Sequence, residues 1–251
     1  MAEAKSDVCF QGKTALVTGA GKGIGRAIAV RLAAVGVKVY GISRTQSDLD
    51  ELRQEVPSIE TRVVDIADWD ATRKIVQDLG RIDLLINNAG ITNWTGFLDV
   101  TQQELDNMHD INFKAAFNIS QVVAQGMVSR GTGGAIVNIS SVAGQRAVPN
   151  HTCYCTAKAA LDMLTMTLAY ELGPHKIRVN SVNPTIVLTT LGRKGWSDPV
   201  KKANAIKKIP IGRLAEEEDV VEATVFLLSD RASMINGTLL PVDGGMIISC
   251  V

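Results

Sequence analysis

The sequence predicts a three-layer α/β sandwich built on a mostly parallel sheet. Three observations carry that prediction. Short apolar runs alternate with helix-forming stretches from residue 14 to residue 245. Several of the short runs are continuously apolar, as in ALV, LLI and AIV, which suits strands covered by helices on both faces. A glycine-rich turn, TGAGKGIGR, joins the first apolar run to the first helical stretch.

Each element can be justified in order. TALVTG, residues 14–19, is the first strand, and the helix formers of residues 24–35 follow until Gly36 ends them. Residues 37–42, VKVYGI, form the second strand, and residues 47–55 a short helix. TRVVDI, 61–66, is the third strand, followed by a helix over 68–79. IDLLINNAG, 82–90, supplies the fourth strand and its terminal turn. A long helical region over 101–130 is expected to break near Asn112, whose side chain competes for local backbone bonds. GGAIVNISS, 133–141, is the fifth strand, and 152–172 a long helix stopped by Gly173-Pro174. IRVNSVNP, 177–184, a helix over 217–230 and GTLLPVDGG, 237–245, complete the pattern with a sixth and a seventh strand. Right-handed crossovers join such units into one sheet. No repeat or low-complexity linker divides the chain, so residues 1–251 are expected to form one domain. Residues 185–215, irregular and lysine-rich, follow the sixth strand, where ligand loops stand in doubly wound folds. They read as a mobile flap over a substrate, or as a solvated helical insertion.

Composition narrows the function. Lys plus Arg and Asp plus Glu are 26 each, so the net charge is zero and nothing calls for nucleic acid. No apolar run is long enough to span a membrane, and the N-terminal MAEAKSDV is a polar arm without a hydrophobic signal segment. The expected location is cytoplasmic. The four cysteines, Cys9, Cys153, Cys155 and Cys250, make no disulfide framework, and Cys153-x-Cys155 is too tight for paired zinc ligands. Three histidines, His109, His151 and His175, form no metal motif, so no metal site is expected.

The glycine turn suggests a dinucleotide. Gly19, Gly23 and Gly25 stand in G-x-x-x-G-x-G spacing, with Gly21 between them, and allow positive φ and close backbone approach. Amides at the start of the next helix, near Ile24, can then meet a pyrophosphate. The end of strand two lacks the carboxylate that holds a ribose diol in NAD sites. Ser43, Arg44 and Thr45 stand there instead, with Lys22 in the glycine turn, and suit a 2′-phosphate. NADP(H) is therefore the expected cofactor, although Arg44 can also be read as a solvated helix-start residue. Asp65 and Ile66 close strand three and suit an adenine. Asn88, Ala89 and Gly90 close strand four, as a cofactor contact or as an ordinary turn.

Tyr154 and Lys158, in YCTAK, carry the chemistry. Four apart on a helix, they share a face, and the ammonium is expected to lower the phenol pKa toward neutrality. Ser141, at the end of strand five, is placed to hold a carbonyl oxygen while Tyr154 donates a proton to it. Lys158 would also hold the nicotinamide ribose, and Asn112 would support a water leading to solvent. Taken singly, the serine also reads as a strand-end cap and the lysine as a solvated charge. No G-x-S-x-G elbow suggests a hydrolase. A noncatalytic nucleotide-binding protein is the reading of another class, and the joint presence of Ser141, Tyr154 and Lys158 argues against it.

In the order TGAGKGIG, Asp65, NNAG, Asn112, Ser141, YCTAK and NPT, the chain resembles the classical short-chain dehydrogenase/reductase family over nearly its whole length. The resemblance implies a Rossmann-like, seven-stranded sheet, a nicotinamide cofactor and an Asn112-Ser141-Tyr154-Lys158 tetrad. It places Pro184, Thr185, Ile186, Val187 and Thr189 beside the nicotinamide, with Thr185 where the family has glycine. SRTQSDLD, ALDMLTMTLAYELGPHKIRVNSVNPT and WSDP resemble a branch of the family that reduces a ketopentose and small α-dicarbonyls as a homotetramer. That resemblance places His151 and Trp196 in the substrate pocket, and Val142 where the branch has a glutamine. His151 also reads as a satisfied loop residue and Trp196 as a plug, while Asn150 and Gln145 are further polar candidates. The apolar tail GGMIISCV is expected at an oligomer interface or packed on its own sheet.

Overall fold

A computed structural model describes residues 10–249, apart from the side chains of residues 190, 191 and 194. The N-terminal MAEAKSDV, Cys9, Cys250 and Val251 lie outside the described residues. The strands are β1 (Thr14–Thr18), β2 (Lys38–Ser43), β3 (Glu60–Val63), β4 (Leu84–Asn87), β5 (Gly134–Ile139), β6 (Ile177–Pro184) and β7 (Leu239–Val242). They form one seven-stranded sheet in the order β3-β2-β1-β4-β5-β6-β7. All six pairings are parallel, where the sequence predicted a mostly parallel sheet. Chain order reverses between β1 and β4, which pair as Ala15↔Leu84 through Val17↔Ile86. A crevice opens at such a switch point beyond the carboxyl ends of the strands.

The strand pleat sends alternate side chains to opposite faces. Ala15, Val17 and Val137 pack with Ile28 and Leu32 of α1 (Gly23–Ala34) and Val221 and Val225 of α9 (Glu217–Leu228). Leu16, Leu85 and Ile136 pack on the other face with Val76 of α3 (Trp69–Asp78) and Ile119, Val123 and Met127 of α5 (Ala115–Arg130). The sheet is thus buried on both sides, which explains its continuously apolar strands. Beside β2 and β3 lies α2 (Gln46–Glu55).

Two regions refine the sequence expectation. The 101–130 region is α4 (Gln102–His109) and α5, joined by a π-helical turn, Asp110–Lys114, that contains Asn112. Thr101 and Glu104 close a reciprocal capping box at the start of α4. In the 185–215 segment, α7 (Thr190–Gly195) and α8 (Pro199–Ile206) gather around Leu188, Ala205, Ile209 and Leu214, with Trp196, Ile206 and Met246 packed against them. The segment has its own small core. Strand three ends at Val63, so Asp65 and Ile66 lie in the loop beyond it. The tail begins as a short turn, Met246–Ile248: Met246 packs inward, and its carbonyl accepts a 2.9 Å bond from Arg146, while Ile248 is exposed.

Candidate active site

The first cleft opens over the turn between β1 and α1 and measures about 420 Å³. Gly19 and Gly23 adopt positive φ, 66° and 54°. Added methyls there would lie 2.9 Å from the Ala89 backbone and 3.3 Å from Thr189. The start of α1 has no side-chain cap, which leaves its first amides for a ligand. Asn88 spends its amide on the turn, donating to the carbonyl of Thr18 at 3.0 Å. The Thr18 hydroxyl in turn accepts the amides of Asn88 and Ala89. These bonds pin the end of β4 to the end of β1. Lys22 is paired with Asp48 at 3.0 Å, whereas exposed Arg44 has no hydrogen bond or ion pair among the described residues. One carboxylate oxygen of Asp65 accepts the Ala67 amide at 3.0 Å.

Ser141 and Tyr154 meet at the end of β5, where the first turn of α6 (Thr152–Leu172) approaches it. Their side chains line the same cleft, and the Ser141 hydroxyl acts to lower the phenol pKa. Ser141 Oγ also accepts the Ala143 amide at 3.1 Å, so the strand-cap role and the site coexist in one hydroxyl. Lys158 lies one turn along α6, its Nζ 5.7 Å from the Tyr154 ring centroid and donating to the Ile139 carbonyl at 2.9 Å. Asn112 is buried in the π-helical turn, clamped to Ile91 by two 2.9 Å bonds. Its second Nδ2 hydrogen goes to Met108 Sδ, which leaves one lone pair of Oδ1 for a water. Gly90 fits between Asn112 and Lys158: a methyl there would stand 2.6 Å from Asn112 Oδ1 and 3.6 Å from Lys158 Nζ.

The electrostatics correct one expectation. Burial pushes the Tyr154 phenol up rather than down, with the Ser141 hydroxyl opposing. Burial also lowers Lys158 to about 8, with the Asp162 carboxylate opposing. Desolvation disfavours both charged forms and outweighs the neighbour effect that spacing alone suggested. Asp162, one turn beyond Lys158, is buried and accepts bonds from Asn183 Nδ2 at 3.0 Å and Ser181 Oγ at 3.3 Å. Asn183 Nδ2 also reaches the Ser141 carbonyl at 3.1 Å, and Ser181 bonds Asn183 Oδ1 closely. The network ties the strand that carries Ser141 to the helix that carries Lys158.

A second cleft, about 810 Å³, is walled by Ser141, Tyr154, Val142, His151, Trp94 and Trp196, with residues 185–187 and α8 on the far side. His151 is 7% exposed, and its Nδ1 lies 2.7 Å from the Pro149 carbonyl. That carbonyl only accepts, so Nδ1 carries a proton, and in the neutral ring Nε2 is an acceptor. Trp196 combines both expected roles, joining the apolar cluster under α8 and lining the cleft.

Of the expected cofactor residues, Gly19, Lys22, Gly23, Ile24, Ser43, Arg44, Asp65, Ile66, Asn88, Ala89, Gly90 and Thr189 gather at the first cleft. Thr185, Ile186 and Val187 line the second, as does Asn150. Gly21, Gly25, Thr45, Pro184 and Gln145 line neither, and nor do buried Asn112 and Lys158, which stand behind the clefts. Gly21 backs onto Asp48 and Ser43, and Gly25 packs closely on Asn88 and the Gly19 carbonyl, so both serve the turn's packing. Sequence reasoning missed Thr18, Val64, Ile91 and Ile111 on the cofactor side, and Trp94, Lys201, Asn204, Lys208 and Met246 on the substrate side. The i, i+3, i+7 spacing of Lys201, Asn204 and Lys208 was the one signal available for these. Among the described residues no cluster of metal-ligating side chains occurs, and no helix is long and apolar enough to cross a membrane.

The site fits a nicotinamide dinucleotide. The glycine turn has no room for side chains, the start of α1 is uncapped, and the cleft runs toward Gly90 and Ile91, beside Lys158. Comparison with known proteins agrees. The family model described as enoyl-(acyl carrier protein) reductase matches residues 19–247. The L-xylulose reductase of Mesocricetus auratus is 52% identical over 243 residues, which cover 97% of this chain and 100% of that protein. The D-erythrulose reductase of Gallus gallus is also 52% identical, over 97% of this chain and 99% of its own. A crystal structure of a gluconate 5-dehydrogenase from Burkholderia cenocepacia, in complex with NADP and tartrate, superposes with a TM-score of 0.91 at 29% identity, covering 96% of this chain and 98% of that one.

Proposed function

The chain belongs to the short-chain dehydrogenase/reductase family, and from that premise we propose that it uses NADPH to reduce L-xylulose to xylitol and small α-dicarbonyls such as diacetyl. The observation that carries this reading is the placement of Ser141 and Tyr154 together in the wall of a roomy cleft, with Lys158 buried behind it. The bound nicotinamide supplies hydride to the carbonyl carbon. Ser141 holds the carbonyl oxygen, and the Tyr154 phenol, kept protonated by burial, donates its proton as charge develops there. Lys158 holds the ribose hydroxyls and, when charged, stabilises the phenolate left behind. Asn112 keeps the Gly90-Ile91 loop against Lys158 and has one lone pair for the water that leads protons in. Gly19, Gly23 and the start of α1 hold the pyrophosphate, and Arg44 with Ser43 holds the 2′-phosphate.

Lys158 sets an expected pH dependence. Its ammonium is present below about 8 and lost above it. The kcat/KM for NADPH, which reports the free enzyme, should therefore fall as pH rises through that value. A Lys158→Met variant should be slower and lack that limb; a pH profile of both proteins checks this.

The experiment that tests the function is NADPH consumption with L-xylulose and with diacetyl, with NADH alongside. Turnover of L-xylulose with NADPH supports the sugar-reductase reading. Rapid diacetyl reduction alone favours a second reading, a broader ketone, steroid or 3-oxoacyl-thioester reductase. Buried Val142 supports that second reading, because it offers no amide to a sugar hydroxyl. NADPH binding without turnover of any carbonyl would favour a noncatalytic regulatory protein.

A cytoplasmic homotetramer formed from one domain is part of the same proposal. Phe117 of α5 and Met163, Met166 and Tyr170 of α6 are large exposed apolar side chains on these two helices, which suits burial against another copy. Sedimentation velocity decides it: a monomer would remove the assembly from the proposal.

A further inference from the structure

The substrate cleft carries an excess of positive charge. Lys201 and Lys208 line it, and Asp198 is the one acid among its lining residues. Asp198 is spent as the cap of α8, where its Oδ1 accepts the amides of Val200 at 2.8 Å and Lys201 at 3.3 Å. Neither lysine forms an ion pair among the described residues. Lys201 Nζ stands 5.2 Å from the Trp94 ring centroid and 4.7 Å from that of Trp196. Its one hydrogen bond, 3.3 Å to the Gly195 carbonyl, leaves N–H groups to donate. The indoles hold the exposed ammonium at the cleft by cation–π contact. A path of rings leads from this cation to the phenol: Trp94 meets His151 edge-on at 4.3 Å, and His151 meets Tyr154 at 6.2 Å.

The geometry points to a substrate that is an anion: a hydroxylated ketone whose far end bears a carboxylate. Lys201 and Lys208 take the carboxylate, and the carbonyl faces Ser141 and Tyr154. Asn204, on α8 between Lys201 and the turn that carries Lys208, and Nε2 of His151 meet the intervening hydroxyls. This rests on the reductase reading for which end reacts, and goes beyond it by adding anionic hydroxyketones to its neutral substrates. A neutral pentulose or diacetyl would leave both ammonium groups unmatched.

The test compares L-sorbose with 5-keto-D-gluconate, which carries a carboxylate where L-sorbose carries a hydroxymethyl group far from the ketone. At low ionic strength kcat/KM should favour the carboxylate by about tenfold, and added salt should shrink that preference. In the Lys201→Gln/Lys208→Gln double variant the ratio of the two kcat/KM values should fall about fivefold or more. Equal use of both compounds by the wild type, or a ratio the double variant leaves unmoved, overturns the inference. A second readout needs no turnover: titration of tryptophan fluorescence, to which Trp94 and Trp196 contribute beside Lys201. Saturable binding of 5-keto-D-gluconate that weakens in the double variant supports the subsite even if no carbonyl is reduced and the reductase reading fails. Absence of binding, or binding equal to that of L-sorbose, overturns it.

Discussion

Tyr154→Phe is expected to lower kcat for carbonyl reduction by about 10²–10⁴-fold, the range that a positioned general acid contributes. The ring is retained, so its packing against His151 persists and the cleft keeps its shape. What disappears is the only phenol among that cleft's described lining residues. Cofactor binding, followed by NADPH fluorescence, should stay within a few-fold, since the hydroxyl lines the second cleft rather than the first. Thermal unfolding should change little, because one hydroxyl contributes at most about 1 kcal/mol and the ring stays in place. Reduction at the wild-type rate would remove Tyr154 from the chemistry and leave the serine as a strand cap.

Arg44→Glu should produce the second large effect, a loss of about 100-fold in kcat/KM for NADPH with little loss for NADH. The guanidinium stands exposed at the rim of the first cleft without a hydrogen bond or ion pair among the described residues. It therefore has its donors free for a phosphate. A charge-assisted hydrogen bond is worth about 1.5–3 kcal/mol, and reversal of the charge adds repulsion. At 1.4 kcal/mol per tenfold, that reaches about two orders of magnitude. Lys22 does not replace Arg44 freely, because Asp48 already holds it at 3.0 Å. A ratio of NADPH to NADH efficiency that Arg44→Glu leaves unchanged would make Arg44 a solvated helix-start residue and return the cofactor choice to Asp48 and its neighbours.

Much of this molecule is legible along the chain because its information is local. A strand, a glycine turn and a helix start lie within about a dozen residues, so TALVTGAGKGIGR announces both an element order and a phosphate-sized opening. Tyr154 and Lys158 declare a shared helix face by their spacing. Asn112 stands out because it is a poor residue for the helix it interrupts, and the π-helical turn is where the interruption falls. The parallel sheet, too, follows from short apolar strands that only helices on both faces can cover.

The cleft walls are of another kind. Trp94, His151 and Trp196 follow β4, β5 and β6 in turn, Lys201 stands on α8, and nothing in their spacing says that an ammonium will stand beside two indoles. Thr18 reads as the end of an apolar strand, yet its hydroxyl anchors two amides from the end of β4. Asp162 reads as one polar residue in a long helix, and becomes the acceptor of a buried network only when β6 brings Asn183 and Ser181 against it. The direction of the Tyr154 shift was likewise beyond reach of spacing, because burial sets it and burial is a property of the packed whole. Residue order determined the fold and the proposed reacting groups, since propensity and periodicity act over a few residues. Charge, dielectric and the shape of the substrate cleft were decided by tertiary packing, because those quantities depend on distances between segments remote in the chain.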